Sequence, residues 1–234
     1  RNDPALQQAK RAADAANQAK SRYISTISHE LRTPLNSILG YAQLLDEDEH
    51  MPEHRKRAVS VIRRGGDHLL SLIEGTLDIA RIEGGKFSLS PQPMRFRECV
   101  HELARLFELQ AAGKGIAFEP QIADSLPDVV RADEKRLRQI LINVLGNAVK
   151  FTAQGRVSFR VSWARELARF EIEDTGPGMS EAELERVFEP FMRGSAAGMS
   201  ASGGTGLGLT MAKMLTDLMG GELRVHSEPG VGSR

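Results

Sequence analysis

Residues 28–36 read Ser28-His29-Glu30-Leu31-Arg32-Thr33-Pro34-Leu35-Asn36, a histidine beside a carboxylate and shortly ahead of a proline. Around this string Ile24, Ile27, Leu31, Leu35, Ile38, Ala42 and Leu45 recur at three- and four-residue steps. That spacing predicts an amphipathic helix packed on a partner. Ser25, His29, Arg32 and Asn36 fall on another face, so the imidazole is expected to point to solvent. Pro34 lacks an N–H and its ring meets the carbonyl of Glu30, so a bend or loosened turn is expected beside His29. Glu30 can accept a proton from one ring nitrogen, which fixes the tautomer and leaves the other nitrogen as a nucleophile. An exposed histidine beside an unrelated carboxylate would show the same local pattern. The complete string is far more specific.

Working outward, the stretch from Pro4 to about Leu45 contains few helix breakers apart from Pro34 and Gly40. Such a helix would run roughly 60 Å at about 1.5 Å per residue, a length suited to a coiled coil or bundle. Residues 46–52 form a polar turn, and a second helix is expected to about Ile82. Its stripe is Val59, Ile62, Gly66, Leu69, Ile73, Leu77 and Ala80. Two long helices joined by a short turn make an antiparallel hairpin. One hairpin cannot cover its own seam, so two pairing into a four-helix bundle, a homodimer, is expected. The Gly65-Gly66 pair costs the helix about 1 kcal/mol per glycine relative to Ala; it marks either close helix approach or a flexible point.

Past Gly84-Gly85 the composition changes. Strands are expected at Phe87–Leu89, Met94–Phe96, Ile116–Ile122, Arg156–Trp163, Arg169–Glu173 and Glu222–Ser227. Helices are expected at Glu98–Ala111, Lys135–Phe151 and Leu207–Met219. This mixture suggests an α/β sandwich with helices on one face of a sheet. The fold class is therefore α+β: a long helical hairpin, a four-helix bundle on dimerisation, followed by an α/β sandwich. The expected division is a signalling helix over 1–20, the hairpin over 21–84 and the sandwich over 85–234.

Composition sets limits on function. Over 234 residues, Lys plus Arg and Asp plus Glu number 31 each, so no global field draws the chain to nucleic acid or a membrane. The single cysteine, Cys99, excludes an internal disulfide framework and fits a reducing, cytoplasmic setting. No apolar run approaches bilayer length and no signal-peptide pattern opens the chain, so any membrane anchoring is expected from segments outside this stretch. The chain opens in an Ala/Gln/Lys-rich helical segment and stops at Gly232-Ser233-Arg234, as expected of a piece of a longer protein.

A second concentration of chemistry begins at Asn143. Asn143 and Asn147 lie one helical turn apart, with Lys150 further along the same side. Two carboxamide oxygens could hold hydrated Mg²⁺, and the ammonium could meet phosphate oxygens; polar residues on a wet helix face would look the same. The run Phe170-Glu171-Ile172-Glu173 leads into Asp174-Thr175-Gly176-Pro177-Gly178. A carboxylate at a strand end accepts from adenine's exocyclic amine and repels guanine's carbonyl, while Gly176 and Gly178 let backbone approach the base. Then Gly203-Gly204-Thr205-Gly206-Leu207-Gly208-Leu209 opens a helix, and backbone N–H groups at such a start cradle polyphosphate. The long stretch between the glycine motifs, with small polar residues 195–202, reads as a lid. Phe188-Glu189-Pro190-Phe191 would be its apolar anchor or a core patch, and Arg193 would reach the terminal phosphate.

Together these motifs resemble the catalytic core of a sensor histidine kinase of two-component systems, over essentially the whole chain. Residues 29–35 resemble the phosphoacceptor box, Asn143–Lys150 the N box, and Asp174–Gly178 the first glycine box. Phe188–Phe191 resembles the F box, Gly204–Leu209 the second glycine box, and Gly230-Val231-Gly232 the third. The resemblance implies ATP-dependent phosphorylation of His29 at Nε2, with Glu30 steadying Nδ1, then transfer to an aspartate of a response-regulator receiver domain. It implies Mg²⁺ on Asn147 with Asn143, phosphate on Lys150 and adenine on Asp174. Gly204, Thr205, Gly206, Leu207 and Gly208 would bind the phosphates. Thr33 matches a position that helps water dephosphorylate the partner. One departure is that the strand expected after the third glycine box is missing.

Two rival readings make different demands. A gyrase- or chaperone-type ATPase hydrolyses ATP with a helix glutamate, but the equivalent place holds Asn143, whose amide cannot act as a base. A non-catalytic dimeric scaffold would be favoured by loss of His29, Asn147 or the glycines, and all are present. A phosphatase-biased enzyme on the same fold is a closer variant, given Thr33.

Overall fold

The computed structural model describes residues 4–192 and 205–234, and the chain divides into two compact units, residues 1–88 and 89–234. The first unit is helix α1 (Pro4–Asp46) and helix α2 (Glu53–Glu83) joined by a short turn. The secondary structure of α1 continues through Pro34. The turn around the proline is supported by side chains: Thr33 Oγ1 donates to the His29 carbonyl at 3.3 Å and Ser37 Oγ to the Thr33 carbonyl at 3.3 Å. α2 stops where Gly84 N–H closes on the Ala80 carbonyl at 3.0 Å.

The seam between the helices is narrower than the apolar stripes promise. Leu35 and Ala42 of α1 are buried, with Val59, Gly66, Ile73, Leu77, Ile79 and Ala80 of α2. Ser28 joins them at 4% exposure, whereas Leu31, Ile38 and Leu45 of the same predicted stripe stay open. Gly66 settles one ambiguity, because a Cβ there would lie 2.5 Å from Leu39 Cδ2, while Gly65 faces open space. Gly66 marks close helix approach. Ion pairs among the described residues bridge the hairpin along its length: Arg63–Asp46 at 2.5 Å, Arg32–Glu74 at 3.8 Å and Lys20–Glu83 at 3.9 Å.

The second unit runs β1 (Gln92–Arg95), α3 (Phe96–Lys114), β2 (Ala117–Ile122), β3 (Val129–Ala132), α4 (Glu134–Phe151), β4 (Arg156–Ala164), β5 (Leu167–Asp174), α5 (Glu181–Glu185), α6 (Gly208–Leu218), β6 (Ser227–Glu228) and β7 (Gly232–Ser233). Strands order as β2-β4-β5-β7-β6, with β1 and β3 forming a separate antiparallel pair. β2 and β4 are parallel and β4 and β5 antiparallel. A single core joins sheet to helices: Phe96, Val100, Leu103 and Phe107 of α3, Leu141 and Leu145 of α4, and Val157, Phe159 and Val161 of β4. Phe96 packs its ring at 5.7 Å from Trp163 and 6.1 Å from Phe170, which pulls it out of the predicted strand and makes it the first residue of α3.

Several sequence expectations change here. Phe87–Leu89 forms no strand: no strand ladder among the described residues includes it. β3 and α5, both short, carry too weak a periodic signal to be read from sequence. Of the strand expected over 222–227, only the end pairs among the described residues: Ser227 lies opposite Ser233, and His226 and Arg234 exchange backbone hydrogen bonds at 2.8 and 2.7 Å. β5 correspondingly meets β7 only at Asp174–Ser233, which leaves most of its outer edge without a ladder partner among the described residues.

Candidate active site

The phosphoacceptor candidate lies on α1, where His29, Glu30 and Thr33 are all exposed. No hydrogen bond joins His29 and Glu30 among the described residues. Consecutive helical residues project about 100° apart and do not face one another, so any help from Glu30 needs a side-chain adjustment during reaction. The Thr33 hydroxyl is turned back onto the His29 carbonyl. Arg32, one turn further on, is half-buried and faces Glu74 of α2 at 3.8 Å.

The second unit gathers the remaining motifs around α4. Its start is capped by Asp133, which accepts from Arg136 N at 3.2 Å and Ser90 N at 2.9 Å. Its end is held by Lys114 of α3, whose Nζ donates to the carbonyls of Val149, Lys150 and Thr152 at 2.6, 2.8 and 2.9 Å. These are the C-terminal carbonyls that a helix leaves unpaired, and a cation there also opposes the helix dipole. The half-buried Asn143, Asn147 and Lys150 are thereby carried on a helix secured at both ends, with the Lys150 ammonium 4.9 Å from the Phe151 ring centroid.

Two glycine loops abut this helix, and the third closes on the first of them. A Cβ on Gly208, the first residue of α6, would lie 3.7 Å from the Asn143 carboxamide, so the second glycine motif abuts the N-box helix. A Cβ on Gly176 would lie 2.9 Å from Asp174 Oδ1, 3.2 Å from the Phe151 carbonyl and 3.4 Å from Thr152 Oγ1. Gly178 adopts φ +68° against the backbone of Glu228, so a larger residue would push the third glycine motif away. Gly206, at φ +70°, touches the backbone of Phe191, and its carbonyl accepts from Phe191 N at 2.9 Å. Phe191 thus anchors the second glycine loop through its main chain, while the residue as a whole is 60% exposed. Thr205 Oγ1 accepts from Leu207 N at 3.2 Å, shaping the turn that leads into α6.

Asp174 closes the arrangement at the end of β5. Its Oδ1 accepts from Gly176 N at 2.9 Å. Burial raises its pKa above the ordinary aspartate value, and the Gly176 and Ser233 N–H groups partly oppose that shift. Asp174 and Asn147 line one end of a cavity of about 880 Å³, which continues between β5 and residues 221–226. Arg193 and Gly204 lie outside the described residues, as do lid residues 195–202.

Known proteins carry the same two segments. Residues 19–85 match the His Kinase A (phospho-acceptor) domain family, and residues 132–234 match the histidine kinase-, DNA gyrase B- and HSP90-like ATPase family. The chain belongs to the sensor histidine kinases. Among similar proteins, the autoinducer 2 sensor kinase/phosphatase LuxQ of Vibrio cholerae is 38% identical over 232 residues, 97% of this chain and 27% of that protein. The virulence sensor protein BvgS of Bordetella bronchiseptica is 41% identical over 234 residues, 97% of this chain and 19% of that protein. The chain therefore spans less than a third of either relative. The crystal structure of full-length ShkA in complex with AMPPNP is similar at a TM-score of 0.73 and 39% identity, over 91% of this chain and 44% of that one. Acinetobacter baumannii histidine kinase AdeS, at a TM-score of 0.60 and 21% identity over 88% of this chain and 94% of that one, shares the fold.

In this histidine kinase, sequence reading missed the residues that hold the site in shape. Lys114 is the clearest, since a basic residue in the last turn of a helix suggests only compensation of its own dipole. Thr152 is fully buried and donates to the Ala148 carbonyl at 2.8 Å beneath Gly176. Ser227 Oγ accepts from Met179 N at 2.8 Å, tying the first glycine loop to β6. None belongs to a recognisable motif, and each acts across a large separation in sequence or beneath a loop.

Proposed function

We propose that this chain catalyses ATP-dependent phosphorylation of His29 and passes the phosphoryl group to an aspartate of a response-regulator receiver domain. The observation that carries the reading is the exposed His29 in a matched phospho-acceptor segment, in one chain with an ATPase-type unit whose glycine loops lie against Asn143 and Asp174. Neutral Nε2 attacks the γ-phosphorus in line, the N–P bond forms as the bond to the β-phosphate oxygen breaks, and ADP leaves. The Nδ1 proton of the resulting imidazolium is stabilised by Glu30. Asp174 accepts from the adenine amine, Lys150 and Arg193 meet phosphate oxygens, and backbone from Gly204 to Gly208 cradles the polyphosphate. Gly176 and Gly178 leave room for the base.

Asn147 and Asn143 offer hard, neutral oxygen donors, which suits Mg²⁺ arriving with a polyphosphate better than a permanent protein cage. Among the described residues no cluster of three His, Cys, Asp or Glu could hold an ion without it. When bound, Mg²⁺ would offset charge on the phosphate oxygens.

Homodimerisation through the hairpin is supported by the apolar side chains that the single hairpin leaves open, Leu31, Ile38 and Leu45 on α1 with Ile62 and Leu69 on α2. The chain is placed in the cytoplasm, where ATP and receiver domains are available; no helix among the described residues is long and apolar enough to cross a membrane. Dephosphorylation of the partner by a Thr33-held water is a second activity of the same surface. The proposed domain division is a signalling helix over 1–20, the phosphotransfer hairpin over 21–84 and the ATP-binding unit over 85–234.

The test is incubation with γ-labelled ATP and Mg²⁺. Wild type should retain acid-labile, base-stable label, whereas His29→Gln and Asn147→Ala should not. Free phosphate released without labelled protein would overturn the kinase reading in favour of an ATPase.

A further inference from the structure

Arg32 is the cation closest in sequence to His29, one helical turn further along α1. Side chains on a helix lean toward its N-terminus, so Arg32 extends back over the turn that carries Ser28 and His29. Residues three apart have Cβ atoms about 5–6 Å from each other, well within the reach of an arginine. Ser28 on that turn is buried and His29 is exposed. Arg32 therefore lies along the boundary between the hairpin seam and the reactive surface.

Its interactions are incomplete. The Nε atom is buried without a hydrogen-bond partner, and the nearest carboxylate, Glu74 Oε1 on α2, stands at 3.8 Å. That is an ion pair without a hydrogen bond. A buried guanidinium N–H normally finds an acceptor, so this fork has spare donor capacity one turn from the proposed nucleophile. Guanidinium donors match phosphoryl oxygens in geometry and charge.

We infer that Arg32 is a positioning residue for phosphoryl transfer: it exchanges Glu74 for the phosphoryl oxygens as the group arrives on His29, and Glu74 restrains it beforehand. The inference rests on His29 being the phosphoacceptor. No bond to Arg32 forms or breaks covalently; its N–H donors orient the transferring group and offset its charge. Glu74 thus acts as the competing acceptor that keeps the cation in place when His29 is unmodified.

The experiment compares wild type with Arg32→Ala, Arg32→Lys and Glu74→Gln in the 234-residue protein, using labelled ATP and ³¹P NMR of the phosphorylated form. Loss of one preorganised donor to a developing anionic oxygen should slow labelling on the order of 100- to 1000-fold. The KM for ATP should stay unchanged. Arg32→Lys should recover part of the rate, and Glu74→Gln should label at least as fast as wild type. In the ³¹P titration the phosphoryl group should take up its proton at a lower pH in wild type than in Arg32→Ala. Circular dichroism on each variant checks the helices, so a slow variant with wild-type helicity is not a folding defect. If labelled wild type and Arg32→Ala share rate and titration, or Glu74→Gln is as slow as Arg32→Ala, the inference fails while the phosphoacceptor reading stands. A wild type that takes no label overturns both.

Discussion

The hairpin and the sandwich unit bury their apolar residues to different degrees. In the sandwich, Val100, Leu145, Val157, Phe159 and Val161 are each at 0% exposure around one contiguous core. In the hairpin, Leu31 and Ile38 remain 49% and 52% exposed, and Ser28 occupies part of the seam. The sandwich closes a contiguous core within one chain, with Leu109 and Leu167 left outside it, whereas the hairpin buries only a narrow seam and leaves much of its apolar stripe for another chain to cover. The same periodic signal in sequence can thus mean core within a chain or core between chains. Only burial separates the two.

The largest expected effect breaks this contrast from the sandwich side. Leu145→Ala should lower stability by about 2–5 kcal/mol, the usual cost of a large-to-small change at a closed core position. In a denaturant series followed by calorimetry and circular dichroism, its transition should not move with protein concentration, while the hairpin transition should shift upward as the protein is concentrated. Concentration-independent melting of the hairpin would contradict the proposed dimer.

Next in size is Lys114→Met, which keeps most of the side-chain bulk but leaves three carbonyls at the end of α4 without their cation. A hydrogen bond to a charged group contributes about 1.5–3 kcal/mol, so the sandwich transition should fall by about that amount. Nucleotide affinity, measured by calorimetric titration, should weaken with it because Lys150 and Thr152 lose their fixed frame.

The two adjacent glycines of α2 sharpen the comparison within the hairpin, since they should respond with opposite signs. Gly65→Ala meets open space and should stabilise the helix by about 0.5–1 kcal/mol. Gly66→Ala must displace Leu39, packed beside Leu35, and should destabilise by about 1–3 kcal/mol, as overpacking does. Equal responses in hairpin melting would show that the close approach at Gly66 is not maintained in solution.

The smallest effect is a displacement in pH. Burial raises the Asp174 pKa, partly opposed by the N–H groups of Gly176 and Ser233. The carboxylate is the form that accepts from adenine, so affinity for an ATP analogue should decline on acidification at a higher pH than for an ordinary aspartate. Without nucleotide the sign is reversed: the folded state holds the proton more tightly than the unfolded chain, so this group's contribution to stability is lost as pH rises through its folded value. Asp174→Asn should abolish both dependences.

Much of the fold and of the site is legible in the residues alone. Long helices announce themselves through repeated three- and four-residue steps, and α1, α2 and α4 match their expected extents closely. Residues 222–225 mislead because Leu223 and Val225 alternate like a strand, yet a strand exists only where a partner ladder exists. Phe96 misleads because burial between Trp163 and Phe170 outweighs β-propensity. Within the site, the histidine, asparagine and glycine motifs are visible because their chemistry demands those residue types. Lys114 and Thr152 are invisible because any cation or hydroxyl of suitable reach could serve.

By itself, the order of residues determined which side chains carry reactive or binding groups, that the first part is helical with His29 on a polar face, and that the second mixes strands and helices. Tertiary structure alone decided that Gly66 is a contact point, that Gly208 abuts Asn143, that Lys114 closes α4 and that Arg32 faces Glu74 across the hairpin. The physical reason is range. Helical periodicity and backbone preference act over a few residues and are written locally, whereas burial, close approach and charge pairing depend on groups that only folding brings together.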